Sequence, residues 1–560
     1  MSIARFRNIV LAILLVGCQS NWAAAADYEL TFDGKWRNSE DIVNGWDWSL
    51  PAEVRPAPGS GIFNLNSRVP DDFPGNHLLQ VNAKWSELEP TEGHYDLSSI
   101  IKALNDSRYD GVMLNVRGMV VAIVDTNGNP IHQREISAPE WLSKGAPTTT
   151  ENSDKGFRVT NLHIYDPRVK AKYIQLIQEI GKSPIPGHPR LKAQIIHGVS
   201  SSRGEEWTGT QSSRPEAIAA MEDLINAWTT AYGPHSRKLA WLKEDPVELF
   251  HASVVKAGTG IRGGAIEKWL RNQYTPGNPA ETGQMLDADG YLWVDESFAP
   301  IAEGRHFQDQ NEAYRTGGSI PREKWPQNYR LANLRMVQMR RNIAWTETNS
   351  TINPRMLNWM SLELGQSADT SPDAWVALMR TWVRYSNETR EIKNLERWLQ
   401  QRDIQGAGTE PALTVEHGFN AAANSTLSSK YWNMDLARRG QKIGIAVNDR
   451  FLVGGPHPVA IKVTYFDSST EEWSLVYNQS NGEAGAHTIE GGGTQKVKTA
   501  TFFLKDFQAR ASGLNFDFTL ESAGGKTPFM FVRLIRLNPQ SHTPGSLARP
   551  APPGDVQSLN

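Results

Sequence analysis

Gln194-Ile-Ile-His-Gly-Val-Ser-Ser-Ser-Arg-Gly-Glu-Glu-Trp-Thr-Gly209 is the stretch on which the fold reading turns. Residues 193–199 make a short, branched apolar run of the length that suits a buried strand. The run then breaks into small residues and delivers two adjacent carboxylates, Glu205 and Glu206, beside Trp207. Buried strands ending in polar residues are typical of a parallel sheet whose strand ends carry the chemistry.

Working outward, similar apolar runs recur at 61–66, 78–81, 111–117, 239–242 and 259–262. Residues 291–296 and 305–312 compete to be a seventh strand, and 356–363 reads as an eighth. Helical spacing falls between them, at 98–104, 167–180, 215–232, 247–255 and 329–341, with a closing helix at 372–385. Strands alternating with helices predict an α/β fold. Eight such units predict a (β/α)8 TIM barrel, here placed within residues 27–400. Beyond it, short β-rich runs separated by Asn481-Gly482 and Gly491-Gly-Gly493 predict an all-β sandwich of jelly-roll type over 410–540. The Pro-rich tail, 541–560, is expected to be disordered.

Composition narrows the partners. With 58 basic and 61 acidic residues the net charge is -3, which suggests neither nucleic acid nor an anionic surface. The 19 Trp residues suit stacking on sugar C–H groups, although large rings are also good core filler. Arg5 and Arg7 precede a short apolar run, 9–16, too brief to span a bilayer and suited to an export signal within residues 1–26. Cys18 is the single cysteine of the chain, so neither an intrachain disulfide nor a Cys-based metal site is expected. The run Leu15-Val16-Gly17-Cys18 resembles the bacterial lipobox. That resemblance implies acylation of Cys18 and an exported chain, anchored at the outer membrane or periplasmic. The alternative is cleavage near Ala24-Ala25-Ala26, which leaves a secreted chain.

The most specific motif is Trp85-Ser-Glu-Leu-Glu-Pro-Thr-Glu-Gly-His-Tyr-Asp96. It resembles the second-strand motif of clan A glycoside hydrolases, in particular the β-galactosidase-like barrels. Ala138-Pro-Glu-Trp-Leu142 is similar to a loop after the third strand of the same enzymes. Arg203-Gly-Glu-Glu-Trp207 resembles a motif of barrel proteins grouped with glycoside hydrolases. The resemblance implies a carbohydrate partner and an acid/base after strand four, which falls on Glu205 with Glu206 as rival. It also implies a nucleophile at strand seven. Glu312 and Glu296 are the alternatives there, with Glu363, at the end of the expected eighth strand, as nucleophile or substrate ligand.

Glycoside hydrolysis needs two carboxylates, one protonated and one ionised, separated by ~5 Å for retention or ~6.5–9.5 Å for inversion. Adjacent acids such as Glu205 and Glu206 disfavour joint ionisation, which suits a proton donor. Gly204 stands where clan A enzymes carry Asn, and this keeps open a non-catalytic glycan-binding reading; a polysaccharide lyase is a third. Trp85, Trp141, Trp207, Arg117, His197 and Asn311 are further candidates for binding sugar hydroxyls or acidic groups. Glu87, Glu89 and Glu92 are explained by a turn at Pro90 and Gly93. The histidines lack metal-ligand spacing, so neither metal nor cofactor is expected.

Overall fold

The computed structural model describes residues 41–64, 73–152, 156–196, 215–242, 260–264, 284–286, 289–294, 306–308, 325–338, 340–346, 353–385, 388–416, 433–510 and 516–537. Eight parallel strands close into a barrel. They are β1 (Gly61–Asn64), β2 (His77–Lys84), β3 (Gly111–Arg117), β4 (Leu191–Ile196), β5 (Leu239–Leu242), β6 (Gly260–Gly264), β7 (His306–Gln308) and β8 (Ile343–Thr346). Closure is made by β8 on β1, with Ile343 opposite Gly61 and Thr346 opposite Asn64.

Alternation of side chains sorts the barrel into two faces. Phe63, Leu78, Met113, Ala193, Ile195, Ala240 and Ile343 share one cluster, contributed by six strands, and fill the interior. Their neighbours Ile62, Val112, Leu114, Val116, Ile196 and Ala344 point outward into the layer that packs on the barrel. That layer holds helices α1 (Ser98–Leu104), α2 (Pro167–Lys182), α3 (Pro215–Tyr232), α4 (Trp325–Gln338) and α5 (Pro354–Glu363). α2 shows why such a segment is helical: Asp166 caps it by accepting from the Arg168 and Val169 amides, both at 3.0 Å, and Pro167 opens the first turn. Val169, Tyr173, Leu176, Ile177 and Ile180 then form one buried stripe.

The expected (β/α)8 fold, and with it the clan A assignment, is corrected. Among the described residues no helix follows β1, β5 or β6, so a regular ring of eight helices is not formed. Among the described residues, most of the other strands pair antiparallel in three further sheets. A ten-stranded sheet includes Asp41–Asn44, Val497–Ala509, Gly454–Phe466, Phe529–Arg536, Asp373–Tyr385 and Glu388–Arg397. A five-stranded sheet runs Leu399–Arg402, Lys442–Val447, Phe518–Ser522, Trp473–Asn478 and Ala484–Ile489, and the two share a core. Three more strands, Val120–Asp125, Thr148–Asn152 and Phe157–Leu162, form a small sheet between β3 and α2.

Three elements differ from their sequence reading. Residues 356–363 are not the eighth strand but lie in α5, where Asn353 caps the Met356 amide at 3.0 Å and Pro354 occupies the first turn. The eighth strand is Ile343–Thr346. Of the two rivals for the seventh, His306–Gln308 belongs to the barrel, whereas Leu292–Val294 pairs with Glu388–Arg397 in the large sheet. The expected closing helix at 372–385 is the strand Asp373–Tyr385. Its side chains alternate between two cores: Ala374, Val376 and Leu378 enter the core between the sheets, while Trp375, Ala377 and Met379 join the barrel-side core. Burial on both faces hides the period of two and leaves a continuous apolar run.

That strand also explains part of the tryptophan excess. Trp48, Trp359, Trp375 and Phe531 interlock where the sheet meets the helical layer, with Trp48–Trp359 at 5.1 Å and Trp359–Trp375 at 6.1 Å. These rings are core filler.

Candidate functional site

Parallel barrels present their chemistry at the C-terminal ends of the strands. β2 and β3 are paired in register there, with Asn82 opposite Asn115 and Lys84 opposite Arg117. Because Leu78 and Met113 face the interior, alternation places Asn82, Lys84, Asn115 and Arg117 on the interior side toward the strand ends, with Asn115 level with Ile195 of β4. Asn115 is buried, and its Nδ2 donates to Asn82 Oδ1 at 2.8 Å. Its Oδ1 has no partner among the described residues. Lys84 is engaged by Glu87, Nζ to Oε1 at 2.9 Å. Arg117 is half-buried, and its Nε is closed to solvent without a partner among the described residues.

The motif 85–96 serves a different purpose. Trp85 is fully buried, tilted against Tyr173 at 5.1 Å and edge-on to Trp141 at 6.2 Å. Its Nε1 donates to Glu89 Oε2 at 2.7 Å, and Glu89 Oε1 accepts from the Gly93 amide at 2.8 Å. Trp141 Nε1 donates to the Glu89 carbonyl at 3.0 Å. Glu92 pairs with Lys172 of α2 at 2.9 Å, an exposed contact in which the Lys172 hydrogen bond and charge hold its carboxyl below the usual range. The motif is a knot that ties the turn after β2 to α2 and to the loop of Trp141. As placed, Trp85 offers no ring face to a sugar, which corrects its reading as a platform. Trp141 is half-buried and committed to the same knot.

Glu363 is likewise corrected. It does not end a barrel strand: it lies at the last turn of α5, closed to solvent, 3.1 Å from Arg397 Nη1 and accepting from Ser371 Oγ at 2.8 Å. Burial, then the neighbouring Asp373 carboxylate, push its pKa well above the usual range despite Arg397. It is a structural acid. Cys18, His197, Glu205, Glu206, Trp207, Glu296, Asn311 and Glu312 lie outside the described residues. Among the described residues no group of His, Cys, Asp and Glu is arranged to hold a metal ion.

Asn82 and Asn115 were not singled out by the sequence reading. The signal that finds them is the period of two along 78–84 and 111–117, which puts each asparagine on the same side as Leu78 or Met113.

No family model matches the chain, and no curated protein matches it in sequence. The resemblance carried by residues 85–96 therefore does not extend to family membership. Solved structures align over most of the chain at low likeness. The neighbours are glycoside hydrolases and a glucanotransferase. A cycloisomaltooligosaccharide glucanotransferase of Paenibacillus sp. is 9% identical with a TM-score of 0.23, over 86% of this chain and 58% of that one. A family 44 endoglucanase from Clostridium thermocellum is 9% identical with a TM-score of 0.28, over 82% and 99%. A family 31 dextranase from Flavobacterium johnsoniae is 8% identical with a TM-score of 0.27, over 80% and 71%. The chain thus spans less than two thirds of the first of these proteins, and at such scores the alignments do not define a common fold.

Proposed function

We propose that this protein acts on glycans and cleaves glycosidic bonds at the mouth of its parallel barrel. The observation that supports this most directly is the placement of β4. It is a barrel strand whose C-terminal residue Ile196 is followed in sequence by His197 and then by the acid-bearing segment Arg203-Gly-Glu-Glu-Trp207. In this reading Glu205, with Glu206 as rival, protonates the leaving glycosidic oxygen. Glu312 or Glu296 attacks the anomeric carbon, and the resulting glycosyl ester is hydrolysed by a water that Glu205 deprotonates. A retaining mechanism of this kind calls for carboxyl groups ~5 Å apart.

The test is release of reducing ends from a panel of galactans, xylans and uronate polymers. Glu205→Gln and Glu312→Gln are expected to lower turnover by about two or more orders of magnitude while binding persists, because each removes a proton or charge used in the transition state. Near-normal turnover in Glu205→Gln moves the acid to Glu206; near-normal turnover in Glu312→Gln moves the nucleophile to Glu296. Binding without turnover in the unsubstituted protein replaces hydrolysis with simple recognition. Unsaturated product ends signify a lyase.

We further propose that the chain is exported and held at a membrane through acylated Cys18. No helix among the described residues is long and apolar enough to cross a membrane. Metabolic labelling with a radioactive fatty acid, lost in Cys18→Ser, checks this.

A further inference from the structure

The β2–β3 side of the barrel mouth carries hydrogen-bonding capacity that no described residue uses. Asn115 and Asn82 are locked to each other by one bond of 2.8 Å, which fixes both amides. With Nδ2 of Asn115 donating to Oδ1 of Asn82, the other ends of the two amides stay available, Oδ1 of Asn115 as an acceptor and Nδ2 of Asn82 as a donor. The acceptor is buried and unpartnered among the described residues, a state that ordinarily costs about 1–3 kcal/mol. Two residues farther along the same face of β3, Arg117 adds a planar cation whose buried Nε has no partner among the described residues. Its cross-strand neighbour Lys84 is occupied by Glu87. Among the described residues, Arg117 is thus the cation left open on this side of the mouth.

We propose that these three residues form a subsite for a uronic acid unit, with Arg117 gripping the carboxylate and the asparagine pair taking ring hydroxyls. The inference deepens the glycan reading above and rests on it. Three features select this chemistry. A guanidinium matches the two oxygens of a carboxylate in a paired, planar contact. Alternate residues on one strand are ~6.6 Å apart, so Arg117 and Asn115 are spaced for opposite edges of a single pyranose ring. The open acceptor on Asn115 requires a donor, which a sugar hydroxyl provides and a bare inorganic anion does not.

The experiment is calorimetric titration of the full chain with trigalacturonic acid, its methyl ester and the neutral galactotriose. The acid is expected to bind about 10- to 100-fold more tightly than either neutral ligand, and the preference is expected to shrink with added salt. Arg117→Met is expected to abolish the preference while changing affinity for the neutral trisaccharide less than about threefold, and Asn115→Ala to weaken acid and neutral ligands together. Equal binding of acid and ester by the unsubstituted protein overturns the subsite and leaves the glycan reading intact. Failure of every oligosaccharide to bind overturns both. The comparison of acid with ester needs no variant, so a misfolded Arg117→Met cannot shield the proposal.

Discussion

Arg533 Nε lies 2.6 Å from Asp373 Oδ2, with both side chains closed to solvent. Asp373 also accepts from Trp359 Nε1 at 3.1 Å, so one carboxylate joins the large sheet to α5. Arg533 in turn donates to the carbonyls of Asp47 at 3.0 Å and Ser49 at 3.2 Å, tying in the chain that precedes the barrel. The contact sits inside the Trp48–Trp359–Trp375–Phe531 cluster, where a lone charge would be poorly solvated. Arg533→Met is expected to destabilise the protein by about 3–5 kcal/mol, because it leaves a buried carboxylate without its counter-charge. Urea unfolding measures this; a loss below about 1 kcal/mol means that the pair contributes little beyond the packing around it.

Glu363 supplies a pH dependence. Burial first, and then the Asp373 carboxylate, hold its pKa well above the ordinary 4.5, outweighing Arg397 at 3.1 Å and the Ser371 hydroxyl. Arg536 also feels its charge. A raised acid binds its proton more tightly when folded. The stability it contributes is therefore complete below pH 4.5 and is lost progressively as pH rises from there toward the native value. Glu363→Gln is expected to remove that decline, so the stability of the variant relative to the parent rises as pH increases above 4.5. Unfolding free energies across that range are the readout; a constant difference would show that the Glu363 proton is not linked to folding.

The knot around Glu89 predicts a localised loss. Glu89→Ala strips partners from Trp85 Nε1 and from the Gly93 amide, both supplied at 2.7–2.8 Å. Two orphaned donors, one on a fully buried indole, cost roughly 2–4 kcal/mol. Hydrogen exchange is expected to speed up in residues 85–96 before it does in the sandwich sheets. Uniform acceleration across the chain would mean that the knot has no local role.

Gly181 sets two effects against each other. Near the end of α2, glycine costs about 1 kcal/mol relative to alanine in helix propensity. A Cβ there, however, would lie 2.7 Å from Ala231 Cβ and 2.9 Å from the Ala231 carbonyl oxygen on α3. Forcing the helices apart costs about 1–3 kcal/mol, so Gly181→Ala is expected to be neutral to destabilising by about 2 kcal/mol. A variant that is more stable in urea would show that α2 and α3 separate at little cost.

Several individual elements of the barrel layer were legible in the residues, although among the described residues the regular (β/α)8 arrangement was not formed. Residues 61–64, 111–117, 215–232 and 239–242 carry their own period, caps and breakers, and local steric and hydrogen-bonding rules suffice to read them. The acid-bearing segment after β4 is also visible as a motif, although its partner acid is not. Other features depend on what packs against them. The run Ala374 to Met379 is apolar at every position, so nothing local distinguishes helix from strand; two cores, one on each face, decide for strand. Glu363 and Trp85 look like site residues by type and position, and only their burial against Arg397 and Tyr173 makes them structural. Asn82 and Asn115 are 33 residues apart and unremarkable in sequence until parallel pairing sets them opposite each other. Local chemistry thus determined where the chain could form strands and helices and where its acids fall. Tertiary packing decided which polar groups were consumed by the fold and which were left open, because desolvation and pairing depend on neighbours distant in sequence.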